Sequence, residues 1–146
     1  MPEKARKETN KMSEALRLTV PGYPEYIKIA KMAVGQIATM QGASIDTVQD
    51  VQTAVSEACR LITCHGHPCW SDCIDVSCHI EEGKLLINVA DKDGSHSIEK
   101  DEIHRCVECP QEGDIGIKLI EYIMDNVEIT RADSGCRSIK ITKILS

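Results

Sequence analysis

Between residues 74 and 90 the apolar residues adopt a period of two, and this stretch constrains the fold more than any other. Ile74, Val76, Cys78 and Ile80 alternate with polar residues, Glu82-Gly83 supplies a turn, and Leu85–Ala90 returns the chain. Alternation on both sides of a glycine-containing turn specifies a β-hairpin with one apolar face. A lone hairpin is at best marginally stable, so that face needs a cover. The residues upstream provide it. Ile45, Val48, Val51, Val55, Ala58, Cys59 and Ile62 recur at helical spacing, from a start near Ser44 or Asp46 to about Thr63. Before them Ile27, Ala30, Val34, Ile37 and Ala38 form a second helical stripe, opened by Pro24 and closed by Gly42. Leu16, Leu18 and Val20 alternate with Arg17 and Thr19 as a half-buried strand that ends at Pro21-Gly22.

Downstream of the hairpin, residues 91–112 are polar, contain Gly and Pro and show no sustained period, which predicts a long loop of the kind that tends to carry function. Ile115, Leu119, Ile120, Ile123 and Val127 mark a third helix. Val127–Arg131, a turn at Asp133-Ser134-Gly135 and Ser138–Leu145 form a closing hairpin. This order predicts an α+β, two-layer sandwich: a mixed, mostly antiparallel sheet with about three helices on one face. Residues 1–14 alternate Lys/Arg with Glu and read as a mobile arm, leaving 15–146 as one domain. With 146 residues and a hydrophobic share of 42%, the chain can bury one core. It contains no Phe, so that core is built from Ile, Val, Leu, Ala and Met.

The same sequence excludes several functions. No apolar run approaches the ~18–20 residues of a membrane span. The charged N-terminus lacks the apolar segment of a secretory signal, which predicts a cytoplasmic protein. A net charge of −6 argues against nucleic acid as the main partner.

Eight cysteines stand out in such a chain. In a reducing compartment they point to a metal, an iron–sulfur cluster or redox chemistry before disulfides. Cys59 falls on a helical apolar stripe and Cys78 on the inward face of the hairpin, so both read as small buried hydrophobes. Cys136 sits in a turn. The others fall in two loops: Cys64, Cys69 and Cys73 after the second helix, and Cys106 and Cys109 before the third, with His65, His67 and His104 nearby. Cys106-x2-Cys109 is a half-site in which one turn presents two thiolates to a single ion, whereas Cys64-x4-Cys69-x3-Cys73 matches no standard signature. The expected ligand set is Cys106 and Cys109 with two of Cys64, Cys69 and Cys73. Four thiolates suit zinc, [2Fe–2S] or [4Fe–4S] alike.

At Ala54-Val-Ser-Glu-Ala-Cys59 the chain resembles a known family. This block, together with RLTVPGYPEYI, INVADKDGS, EGDIGIKLIEYIMDNVEI and the closing SIKITKIL, is similar in order and spacing to the anti-sigma-factor serine kinases of the RsbW/SpoIIAB type. Those belong to the GHKL, or histidine-kinase-like, ATPase superfamily. The resemblance implies a GHKL (Bergerat-like) fold, ATP and Mg²⁺ as cofactors, and a homodimer. It implies a sigma factor or a STAS-type anti-anti-sigma protein as partner. It makes Glu57 the general base or the group that orients the attacking hydroxyl, and Asp91 the acceptor for the adenine amino group. It brings Gly94, Gly113 and Gly116 near the nucleotide, and it sets the two cysteine-bearing loops beside the pocket. The chain departs from the pattern at three places. After Asp91 it has Asp93-Gly94, where the family usually has Gly two residues after the Asp. Leu61 stands where an Asn would coordinate Mg²⁺, and Asp114 lies inside the glycine motif that approaches the phosphates.

Two functions follow as expectations. The first is a regulatory, partner-binding module of anti-sigma type, gated by a cysteine-bound zinc or iron–sulfur site beside a degenerate ATP pocket. The second is an active ATP-dependent serine/threonine kinase that phosphorylates an anti-anti-sigma partner. A small redox protein on the same fold is a third.

Overall fold

The computed structural model describes residues 13–62, 73–91, 115–131 and 137–145. Strand β1 (Ser13–Pro21) is followed by helix α1 (Pro24–Met40), helix α2 (Ile45–Ile62), strands β2 (Cys73–Glu81) and β3 (Lys84–Asp91), helix α3 (Ile115–Ile123), and strands β4 (Asn126–Arg131) and β5 (Arg137–Ile144). The strands form one sheet in the order β1-β2-β3-β5-β4, and every neighbouring pair is antiparallel. The expected sheet was mixed and mostly antiparallel; among the described strands no parallel pair occurs. β2–β3 and β4–β5 are hairpins and β1 reaches β2 across the helical layer, whereas β3 and β4 run parallel on either side of β5, so β3, α3 and β4 form a βαβ unit with one strand between its members.

The period-two reading holds through the register. Leu18 pairs with Val76, Val76 with Val89, Val89 with Ile139 and Ile139 with Ile129, so one row of aliphatic side chains crosses all five strands. Leu16, Cys78, Ile87, Ile141 and Val127 make the adjacent row. The central members of both rows are fully buried. The hairpin turn is held by Glu82 (φ 49°) and Gly83 (φ 79°), two successive residues in the left-handed region, which is the turn whose twist matches antiparallel strands. β1 begins at Ser13, inside the segment expected to be an arm. Ser13 and Glu14 pair with Ile80 and His79 ahead of an irregularity that restores the register at Leu16.

Three helices cover the aliphatic face. α1 opens with proline in its first turn, and the Tyr23 carbonyl accepts the amides of Tyr26 (2.9 Å) and Ile27 (3.1 Å). It closes in a Schellman motif: Gly42 (φ 86°) donates to Thr39 O at 2.9 Å, and Ala43 N donates to Ala38 O at 3.1 Å. α2 starts where Ser44 Oγ accepts the Thr47 amide at 3.2 Å, with Asp46 in its first turn and Arg60 in its last, as the helix dipole favours. Val51, Ala54, Val55, Ala58, Cys59, Leu61 and Ile62 form its buried stripe. α3 is shorter than expected and ends at Ile123. Val127 belongs to β4, because the backbone leaves the helix at Met124 and Asp125 and Asp125 N then bonds to Thr142 O at 2.9 Å. Lys143 fastens this end. Its ammonium donates to Ile123 O at 2.6 Å and lies 3.6 Å from the Asp50 carboxylate, tying α3, β5 and α2 together.

Candidate active site

Glu57 is set by the phase of α2. One helical face is committed to the core through Ala54, Ala58 and Leu61, and Glu57 sits at the edge of that face, its side chain 18% exposed. It points toward α3. A Cβ placed on Gly116 would lie 2.9 Å from Glu57 Oε1, so the carboxylate occupies the space that any side chain at 116 would take. α2 and α3 thus approach closely enough that the carboxylate leaves no room for a Cβ at position 116.

The carboxylate also has a cation. Arg60 Nη1 donates to Glu57 Oε1 at 3.2 Å and to Oε2 at 3.1 Å. The guanidinium is 38% exposed and the pair lies at the boundary of the core, where a charge-assisted contact holds geometry more than it adds stability. Arg60 was not singled out by the sequence reading. Opposite charges three apart on a helix, Glu57 and Arg60, were the available signal.

The remaining expected site residues divide by where they lie. Asp91 is the last residue of β3, paired with Ile74. Gly94, Gly113 and Asp114 lie outside the described residues, as do Cys64, Cys69, Cys106, Cys109 and Cys136 and the histidines 65, 67 and 104. Cys73, the first residue of β2, is partly exposed, while Cys59 and Cys78 are buried. Burial pushes both buried thiols up to about 12, which keeps them protonated and inert, as the core reading expected. Among the described residues no group of three or more His, Cys, Asp or Glu side chains is placed to hold a metal ion. The polar face of the sheet carries a shallow groove of about 400 Å³ lined by Ser77, His79, Asn88, Glu128, Lys140 and Thr142 among others, and Glu57 does not line it.

Mg²⁺ as the resemblance implies it does not fit α2. The position one turn beyond Glu57 is Leu61, 4% exposed and packed in the core, and hydrocarbon offers no oxygen to a hard cation.

With this geometry in view, comparison with known proteins decides the family. The family model described as the histidine kinase-like ATPase domain matches residues 20–143. The chain belongs to that family. Within it, serine-protein kinase RsbW of Bacillus licheniformis is 30% identical over 143 residues, covering 92% of this chain and 88% of the relative. Serine-protein kinase RsbW of Listeria innocua is 31% identical over 143 residues, covering 92% and 90%. Among solved structures, a chain of the SiaB–SiaC complex from Pseudomonas aeruginosa superposes with a TM-score of 0.62 at 11% identity, covering 97% of this chain and 94% of that one, and so shares the fold. The histidine kinase-like ATPase fold accounts for the three helices on one face of an antiparallel sheet. Among the described residues, no helix is long and apolar enough to cross a membrane.

Proposed function

We propose that this histidine kinase-like domain is a partner-switching regulator that transfers the γ-phosphoryl group of ATP to a serine of a STAS-type anti-anti-sigma protein, and holds a sigma factor as its alternative partner. The observation that carries this is the Glu57 carboxylate seated against Gly116. The family-like AVSEAC block and the family-like glycine segment meet there in space, although 59 residues separate Glu57 from Gly116. The names of the similar RsbW kinases support the kinase expectation above the metal-gated one. In this reading Glu57 receives the proton of the attacking serine hydroxyl, the serine oxygen bonds to the γ-phosphorus, and ADP leaves. Arg60 holds the carboxylate in place between turnovers and yields it when substrate enters.

The test is transfer of label from γ-labelled ATP to a STAS-domain protein of the same organism, with Glu57→Gln as the control. Transfer by the natural protein and a loss of about a hundredfold or more in the variant are expected, since general-base catalysis contributes ~10²–10⁴. Equal transfer by both proteins refutes the role of Glu57.

Leu61 favours a second reading, in which the chain binds nucleotide and partners without transferring phosphate. A sigma factor held equally by natural protein and Glu57→Gln, with no transfer by either, establishes that reading in place of the first. The homodimer that the resemblance implies is tested separately by sedimentation, where a monomer at micromolar concentration refutes it.

A further inference from the structure

We propose that the Glu57 site takes the polyphosphate of a nucleotide with Arg60 as its counter-cation, and that α2 ligates no divalent ion. The proposal rests on the nucleotide reading given above and concerns how that site balances charge.

Three observations converge on α2. The side chain one turn after Glu57, Leu61, is buried hydrocarbon. Glu57 spends both oxygens on a single guanidinium nitrogen, Arg60 Nη1, at 3.2 and 3.1 Å. That guanidinium is more than a third exposed, so it is reachable from solvent as well as from Glu57. A guanidinium carries five N–H donors in a planar fork and matches phosphate oxygens in pairs. Arg60 therefore brings to this helix what a bound cation would: a fixed positive charge within one turn of the carboxylate. It also brings a specificity that a metal site lacks. Mg²⁺ in solution binds the same phosphate oxygens, so it competes with a guanidinium for them, whereas a site that ligates the ion gains affinity from it. The two arrangements predict opposite signs for the effect of Mg²⁺ on nucleotide affinity.

The experiment is calorimetric titration of ATP into the full chain, once in excess Mg²⁺ and once in EDTA. Affinity in Mg²⁺ is expected to be equal to that in EDTA within about twofold, or weaker. Arg60→Gln is expected to weaken ATP in EDTA by about tenfold or more, and Arg60→Lys to recover part of the loss, because a hydrogen bond to a charged group is lost in one and only rearranged in the other. Leu61→Asn, which returns an amide oxygen to the turn after Glu57, is expected to make Mg²⁺ tighten binding. Leu61 is a core residue, so the natural protein and the Arg60 variants decide the matter without it. Binding tightened about tenfold or more by Mg²⁺ in the natural protein overturns the proposal and leaves the nucleotide reading standing. Unchanged ATP affinity in Arg60→Gln overturns it equally. Absence of ATP binding under both conditions overturns the nucleotide reading itself, and this inference with it.

Discussion

Replacing Gly116 by alanine separates what this residue does for the fold from what it does for the site. Gly116 is the second residue of α3, in a backbone conformation open to any L-residue, so alanine costs nothing in φ. In a helix interior the exchange gains up to about 1 kcal/mol of propensity, and less in a first turn. Against this stands one contact: the new methyl would lie 2.9 Å from Glu57 Oε1, and 3.9 Å from Cδ. Ordinary carbon–oxygen packing needs roughly half an ångström more, so something must move. The carboxylate is the far end of a flexible side chain and yields before either backbone does. Its rotation strains the contacts with Arg60 Nη1, which cost little to lose at a partly exposed position. Folding stability is therefore expected to stay within about 1 kcal/mol of the natural protein. Misplacing a reacting group by about 1 Å can cost ~10²-fold in rate, so half that displacement is expected to cost about tenfold. Thermal unfolding followed by circular dichroism, with the phosphoryl-transfer assay on the same preparation, reads both quantities. Unchanged transfer in Gly116→Ala refutes the claim that the carboxylate works from this position. A loss of more than about 2 kcal/mol in stability refutes the claim that the carboxylate is the part that moves.

Further tests address the core, the helix end and the cysteines. Lys143→Met removes the ammonium that caps α3 and faces Asp50, and is expected to lower stability by about 1–2 kcal/mol in denaturant unfolding, most of it from the bond to Ile123 O. The Cys59 and Cys78 thiols rise to about 12 from the ordinary 9.0, so the unfolded chain releases their protons first as pH climbs. Stability is fully present below pH 9, falls between pH 9 and about 12, and Cys78→Ala flattens that fall; a pH-independent unfolding free energy across this window refutes it. Native-state thiol labelling at pH 8 is expected to leave Cys59 and Cys78 unmodified while Cys73 reacts; labelling of the buried pair ahead of Cys73 contradicts the burial argument. Metal analysis on protein purified without oxygen tests the thiolate expectation: near-stoichiometric iron with visible absorption, or zinc without colour, restores the metal-gated reading, and metal-free protein removes Cys64, Cys69, Cys73, Cys106 and Cys109 as ligands.

The elements most legible in the sequence were those with a single period and a punctuating residue. The β2–β3 hairpin was readable because alternation on both strands leaves one register that buries Val76, Cys78, Ile87 and Val89 together, and Glu82-Gly83 fits its turn. α1 was readable at both ends because Pro24 and Gly42 act through the backbone. The end of α3 was not. Val127 continues the helical spacing, and a long-range bond between Asp125 N and Thr142 O, which no local pattern encodes, draws the chain into β4 instead. In the site, the position of Glu57 came from motif order. Its pairing with Arg60 and its seat on Gly116 depend on how α2 and α3 pack, and a one-dimensional pattern carries no information about that approach. Leu61 was legible at once, because the absence of a donor atom is a property of the residue and not of its surroundings.

The proposed nucleotide site lies where Glu57 of α2 meets Gly116 of α3. Titrating ATP into ¹⁵N-labelled protein and following amide shifts tests this residue by residue. Shifts are expected to concentrate at Glu57, Arg60, Gly116 and Asp91 and to leave the polar sheet face at Ser77, Lys140 and Thr142 unmoved. Shifts confined to that face, or none at saturating ATP, contradict it.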